Sequence, residues 1–136
     1  MTTVVDTSIV IKWFVPESGH LSARRLLEDE PALAAPDLLV SELANVAWKK
    51  ARRGEINIAQ ARLIVSGFPN SGIDLLPSFA VRERALEIAL ELGHPAYDCF
   101  YIAVAENLKT GVVTADRRLH AAVAESAFAP LVRLLS

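Results

Sequence analysis

The sequence predicts an α/β domain with a central, mainly parallel sheet flanked by helices. Short β-branched or apolar runs alternate along the whole chain with stretches whose apolar residues recur at the helical period. Asp6 and Asp116 fall at or just beyond the end of such a run, before a helix, the position of functional residues at the carboxyl edge of parallel sheets. No internal repeat, low-complexity segment or linker interrupts the pattern, so a single domain over residues 1–136 is expected.

Thr2 to Val5 reads as a buried strand that hands over at Asp6-Thr7-Ser8 to a helix with capping residues at its start, kept short by Pro16. A second helix starts at Ser18 or Gly19, carries Leu21, Ala23, Leu26 and Leu27 on its apolar spacing, and stops at Pro31. Ala32 to Ala35 is the next strand. Pro36-Asp37 opens a helix with Leu39, Leu43, Val46 and Ala47 in phase, closed by Arg52-Arg53-Gly54. Another helix covers Ile58 to Phe68, Pro69 to Gly72 is a turn, and Ile73 to Leu76 a strand. Ser78 is the expected cap of a helix through Leu92, ended by Gly93. Tyr97, Tyr101, Ile102, Ala105 and Leu108 place a helix over Ala96 to Leu108, with Lys109-Thr110-Gly111 as its stop. Val112 to Thr114 is a strand, Asp116 opens the last helix, and Pro130 to Leu134 is the final strand.

A hydrophobic fraction of 52% against a charged fraction of 22% excludes disorder and implies a dense core. The net charge of −2 removes any global positive field, so contact with nucleic acid must come from local basic clusters or bound cations. Cys99, the single cysteine, excludes an intramolecular disulfide, and His20, His94 and His120 are too scattered for a structural zinc site. With no targeting signal and no apolar run of membrane-spanning length, a reducing, cytoplasmic setting is expected.

Four acids stand out: Asp6, Glu42, Asp98 and Asp116. Asp6 and Asp116 share the expected rim of the sheet, and each also suits a plain helix cap. Asp98 lies on the helix face of Tyr101, Ile102 and Ala105, where an unpartnered carboxylate is costly; a cap, an ion pair or a metal would each satisfy it. Glu42 is past the first turn of its helix and has no capping role, leaving a solvated surface position or a ligand. Taken jointly, oxygen ligands without histidine or cysteine suit hard cations such as Mg²⁺ or Mn²⁺, which use one or two carboxylates plus substrate phosphate oxygens. That chemistry points to phosphodiesters.

Val4-Val5-Asp6-Thr7-Ser8, Glu42 with Asn45, Tyr97-Asp98 before Tyr101-Ile102-Ala103, and Val113-Thr114-Ala115-Asp116 occur in the order of PIN-domain nucleases, and nearly the whole chain resembles a VapC-type toxin. The resemblance implies a PIN-like three-layer sandwich and Mg²⁺- or Mn²⁺-dependent endoribonuclease activity through metal-activated water. It also implies inhibition by a cognate VapB-type antitoxin whose C-terminal segment covers the active site, and a homodimer. Asp6, Glu42, Asp98 and Asp116 match its acidic set, Asp6 and Asp98 holding the principal cation and Glu42 and Asp116 completing the shell. Ser8 and Thr114 match its orienting polar positions, with Asn45 as a supporting residue.

Lys12, Arg117 and Arg118 are candidate contacts to RNA phosphate or antitoxin carboxylate, the two arginines because they adjoin Asp116; other basic residues fit ordinary surface roles. Trp13 and Trp48 read as core or interface packing before base stacking. His94 reads as a loop residue near Asp98, and Cys99 as a small buried residue. A signalling receiver would want paired acids after the first strand and an aspartate ending a central one. Here Thr7 and Ser8 follow Asp6, and Asp74 begins its segment. A haloacid-dehalogenase-like phosphatase would want an aspartate at Ser8. The remaining alternative is a catalytically silent PIN-like scaffold that binds RNA or protein.

Overall fold

The computed structural model describes residues 2–136; Met1, included in the expected domain, lies outside them. β1 (Thr3–Val5) is entirely β-branched, which suits a pleated and fully buried strand. It pairs in parallel with β2 (Leu33–Pro36) on one side and β4 (Val112–Thr114) on the other. β3 (Ile73–Leu76) extends the sheet beyond β2, and β5 (Val132–Leu134) beyond β4, again in parallel. The order is β3-β2-β1-β4-β5.

The chain therefore builds outward from β1 and then returns to its other side. The strand order reverses between β1 and β4, and there the connections leaving the carboxyl ends diverge and open a crevice. Val5 stands opposite Val113, so Asp6 and Thr114 leave the sheet side by side.

Every residue of β1, β2 and β4 is buried, so helices cover both faces of the central sheet, as a parallel sheet requires. The helices are α1 (Thr7–Val10), α2 (His20–Asp29), α3 (Leu38–Arg52), α4 (Ile58–Gly67), α5 (Arg82–Leu92), α6 (Ala96–Asn107) and α7 (Arg117–Val123). α6 lies against β1, β2 and β4, with Tyr101, Ile102, Val104 and Ala105 all buried. Leu39 and Leu43 of α3, Ile64 of α4, Ile88 of α5 and Leu119 of α7 complete the core. Asn57 and Gln60 form a reciprocal capping box at the start of α4. Among the described residues no helix is long and apolar enough to cross a membrane.

Two expectations about ends are corrected. Ser78 does not cap a helix: a 3-10 turn, Ser78–Val81, precedes α5. Pro36 stands opposite Leu76 in the β2–β3 pair, so the residues leaving both strands meet. The Leu38 amide donates to the Ser78 hydroxyl at 3.1 Å, and the Ser78 amide to Asp37 Oδ1 at 3.0 Å. These bonds across 40 and 41 residues pin the start of α3, and the Ser78 hydroxyl and amide facing Asp37 hold its carboxyl below the usual carboxylate range. α6 stops where Lys109-Thr110-Gly111 was expected to end it, with Lys109 in the left-handed conformation, φ 56°. Gly111 serves close approach, since a Cβ there would lie 3.1 Å from the Leu131 carbonyl oxygen. The last strand is shorter than expected because Ala129–Leu131 forms a 3-10 turn.

Candidate active site

Asp6 occupies the N-cap position of α1 in extended conformation, yet its side chain makes no capping bond. It turns toward the β1–β4 crevice and accepts from Ser8 Oγ at 2.5 Å and from Thr114 Oγ1. The same two hydroxyls receive backbone amides from the loop after β4: Ala115 N donates to Ser8 Oγ at 2.9 Å, and Asp116 N to Thr114 Oγ1 at 3.0 Å. Ser8 and Thr114 thus hold the Asp6 carboxylate and tie together the segments that follow the two neighbouring strands.

Asp6 is only 5% exposed, and among the described residues no lysine or arginine pairs with it. Burial pushes its carboxyl up to about 6; the two hydroxyl bonds oppose this and the charge of Asp98 adds to it. Glu42, just past the first turn of α3, is raised in the same direction, mainly by burial. Its Oε1 accepts from Thr7 Oγ1 at 3.1 Å and from the Tyr101 hydroxyl at 2.5 Å. Tyr101 is 1% exposed, and its phenol is driven strongly upward by burial and by Glu42, which keeps it a neutral donor.

Asp98 lies in the first turn of α6, where Pro95 is the N-cap residue. Its Oδ2 meets His94 Nε2 at 2.6 Å, so a hydrogen-bonded partner replaces the capping alternative. Asp116 does cap its helix: Oδ1 accepts from Arg118 N at 2.8 Å and more loosely from Leu119 N at 3.4 Å. Capping and rim position coexist there, because the cap uses one oxygen.

Asp6, Glu42, Asp98 and Asp116 all line one cavity of about 130 Å³, together with Thr7, Ser8 and Tyr101. Thr114 supports it from a fully buried position beside Asp6. Asn45 is not brought in; it is exposed on α3 and absent from the lining. Lys12 is engaged by Glu17 at 2.7 Å and by the Ser18 carbonyl at 2.8 Å, and with Arg117 it borders a separate cleft of about 200 Å³. Arg117 and Arg118 are exposed and form no ion pair among the described residues. Trp13 is a core residue whose indole donates to the Ala23 carbonyl. Trp48 is instead 54% exposed and lines an apolar groove between α3 and α4. Cys99 is buried, its thiol pushed up to about 11 by burial, which leaves it unreactive.

Sequence reasoning missed three participants: the hydroxyls of Thr7 and Tyr101, and His94 as the partner of Asp98. Tyr101 carried a weak signal at i+3 from Asp98 on the helix face, and His94 another, four residues before Asp98 in the turn that precedes α6. Thr7 carried none, because its partner Glu42 is 35 residues away.

The donor set is all oxygen, and its buried carboxylate has no counter-charge, the condition a hard divalent cation relieves. No three potential ligands lie close enough to share one ion directly among the described residues. The residues present therefore fit an ion that takes one or two carboxylates and reaches the others through water, the coordination Mg²⁺ favours.

A sequence model of the PIN domain matches residues 3–125. A ribonuclease VapC3 of Pyrobaculum aerophilum is 34% identical over 121 residues, 88% of this chain and 92% of that protein. The crystal structure of PAE2754 from Pyrobaculum aerophilum superposes with a TM-score of 0.71 at 26% identity, covering 97% of this chain and 83% of that one. A toxin-antitoxin complex from Klebsiella pneumoniae contains a chain of the same fold, with a TM-score of 0.64 at 20% identity, covering 96% and 95%.

Proposed function

The chain belongs to the PIN-domain family, and from that premise we propose that it is a Mg²⁺- or Mn²⁺-dependent endoribonuclease toxin held in check by a cognate VapB-type antitoxin. The observation that carries the reading is Asp6: a buried carboxylate without a cationic partner, at the reversal point of a parallel sheet, sharing one cavity with Glu42, Asp98 and Asp116. The relative's designation as a ribonuclease and the toxin-antitoxin assembly of a chain with this fold support it. A single nuclease domain, a homodimeric state and a cytoplasmic location belong to the same reading.

Within this proposal Asp6 and Asp98 hold the principal cation, and Glu42 and Asp116 complete its shell directly or through water. When bound, divalent cations supply an activated water and offset charge on the phosphoryl and leaving oxygens. Ser8 and Thr114 keep the Asp6 carboxylate in one orientation from below, and His94 fixes one oxygen of Asp98. Arg117 and Arg118, exposed beside Asp116, would contact RNA phosphates or an antitoxin carboxylate in this reading. No side chain is needed as a nucleophile.

The test is cleavage of a mixed RNA pool by purified protein with and without Mn²⁺ or Mg²⁺, beside the Asp98→Asn variant. Metal-dependent cleavage that disappears in a folded variant is the expected result. Equal cleavage by both proteins would move the chemistry away from this cavity. Silence of both, on structured as well as pooled RNA, would leave a scaffold that binds without cutting.

A further inference from the structure

We propose that Tyr101, with Thr7, is a positioning residue that fixes which oxygen of Glu42 is offered to the divalent cation. The inference rests on the metal-site reading above and deepens it. Both hydroxyls converge on Oε1: Tyr101 donates at 2.5 Å and Thr7 at 3.1 Å, and the two oxygens stand 3.1 Å apart, closing a triangle. Oε2 accepts no protein hydrogen bond among the described residues, although Glu42 lines the cavity. The carboxylate is thereby split into a held oxygen and a free one.

The triangle is assembled from three separate elements, Thr7 on α1, Glu42 on α3 and Tyr101 on α6, across 35 and 59 residues of chain. A glutamate has more rotatable bonds than an aspartate, so of the two kinds of acid in the cavity Glu42 loses most freedom on binding a metal. Tyr101 is 1% exposed and its ring is locked in the core of α6, which makes its hydroxyl a fixed point. A glutamate ordered before the cation arrives binds it without that entropic loss, and partners of this kind typically change metal affinity by about 10–100-fold.

The experiment is calorimetric titration of Mn²⁺ into the metal-free 136-residue chain, comparing wild type, Asp6→Asn, Tyr101→Phe, Thr7→Val and Thr7→Ser. Tyr101→Phe keeps the ring and removes only the donor. It is expected to weaken Mn²⁺ binding about tenfold or more. On RNA it should lower kcat with little change in KM. Thr7→Val should weaken binding in the same direction, and Thr7→Ser, which restores the hydroxyl, should recover it. Wild-type affinity in folded Tyr101→Phe would overturn the positioning role and leave the metal site standing, as would equal affinities of Thr7→Val and Thr7→Ser. If Tyr101→Phe does not fold, the Thr7 pair decides. No Mn²⁺ binding by wild type, or undiminished binding by Asp6→Asn, would overturn the site itself and the inference with it.

Discussion

A buried carboxylate with hydroxyl donors but no cation is a proton trap, and Asp6 is in that position. Its folded-state value of about 6 lies above the ordinary 3.8, so the folded state holds the proton more tightly than the unfolded chain does. Protons then favour folding. The contribution is full below about pH 4 and is lost as pH rises through about 6, a change of roughly 3 kcal/mol against the folded state by neutral pH. Asp6→Asn removes the charge, and the Ser8 and Thr114 hydroxyls can rotate to pair with an amide. In chelator, Asp6→Asn should melt above wild type at pH 7 and level with it near pH 4; a difference independent of pH across thermal melts would refute this account of Asp6. Asp6 and Asp116 were legible beside strand ends, Asp98 on an apolar helix face and Glu42 as a helix acid with no capping role, whereas Ser8 and Thr114 stood out only through the resemblance to PIN-domain nucleases. The hydroxyls of Thr7 and Tyr101 were not legible, since what gives them a role is a glutamate brought close only by the fold.

At the scale of elements, helical periodicity located every long helix, because each buries one apolar face and the spacing of that face is written locally. The ends were less legible where a distant segment supplies the terminating bonds. Ser78 has a capping residue's chemistry, but its hydroxyl serves Leu38, forty residues earlier, because β2 and β3 end side by side. Where the cap is local it can be tested locally. Asn57 accepts from Gln60 N at 2.8 Å and Gln60 Oε1 accepts from Asn57 N at 2.7 Å. Asn57→Ala should therefore cost about 1 kcal/mol in denaturant unfolding. α4 contributes no residue to the acidic cavity, so Mn²⁺ affinity should not move in that variant. A loss of metal binding there would mean that α3 and α4 transmit strain to Glu42.

At the scale of the molecule, the strand order is what brings the acids together, and it was only partly legible. Alternating strands and helices imply a parallel sheet, but not which strand lies next to β1. β4 takes that place across more than a hundred residues of chain, and the cavity exists because Asp6 and Asp116 leave adjacent strands. The fold then carries an electrostatic cost at its centre: the pKa values of Asp6 and Glu42 are both held above their ordinary values by burial, with Asp98 adding to each. A divalent cation bound there relieves that cost only in the folded state, so it must raise thermal stability by mass action. At a free concentration 100 times its dissociation constant the gain is about 2.7 kcal/mol. Melting of the chelated protein should climb with added Mn²⁺ or Mg²⁺ and keep rising with the logarithm of concentration above the dissociation constant, while Asp6→Asn, stabilised already by loss of its charge, should respond weakly. The two titrations should therefore converge or cross at neutral pH, since metal and mutation remove the same repulsion. Parallel curves would show that the cation stabilises the protein from somewhere other than the β1–β4 crevice.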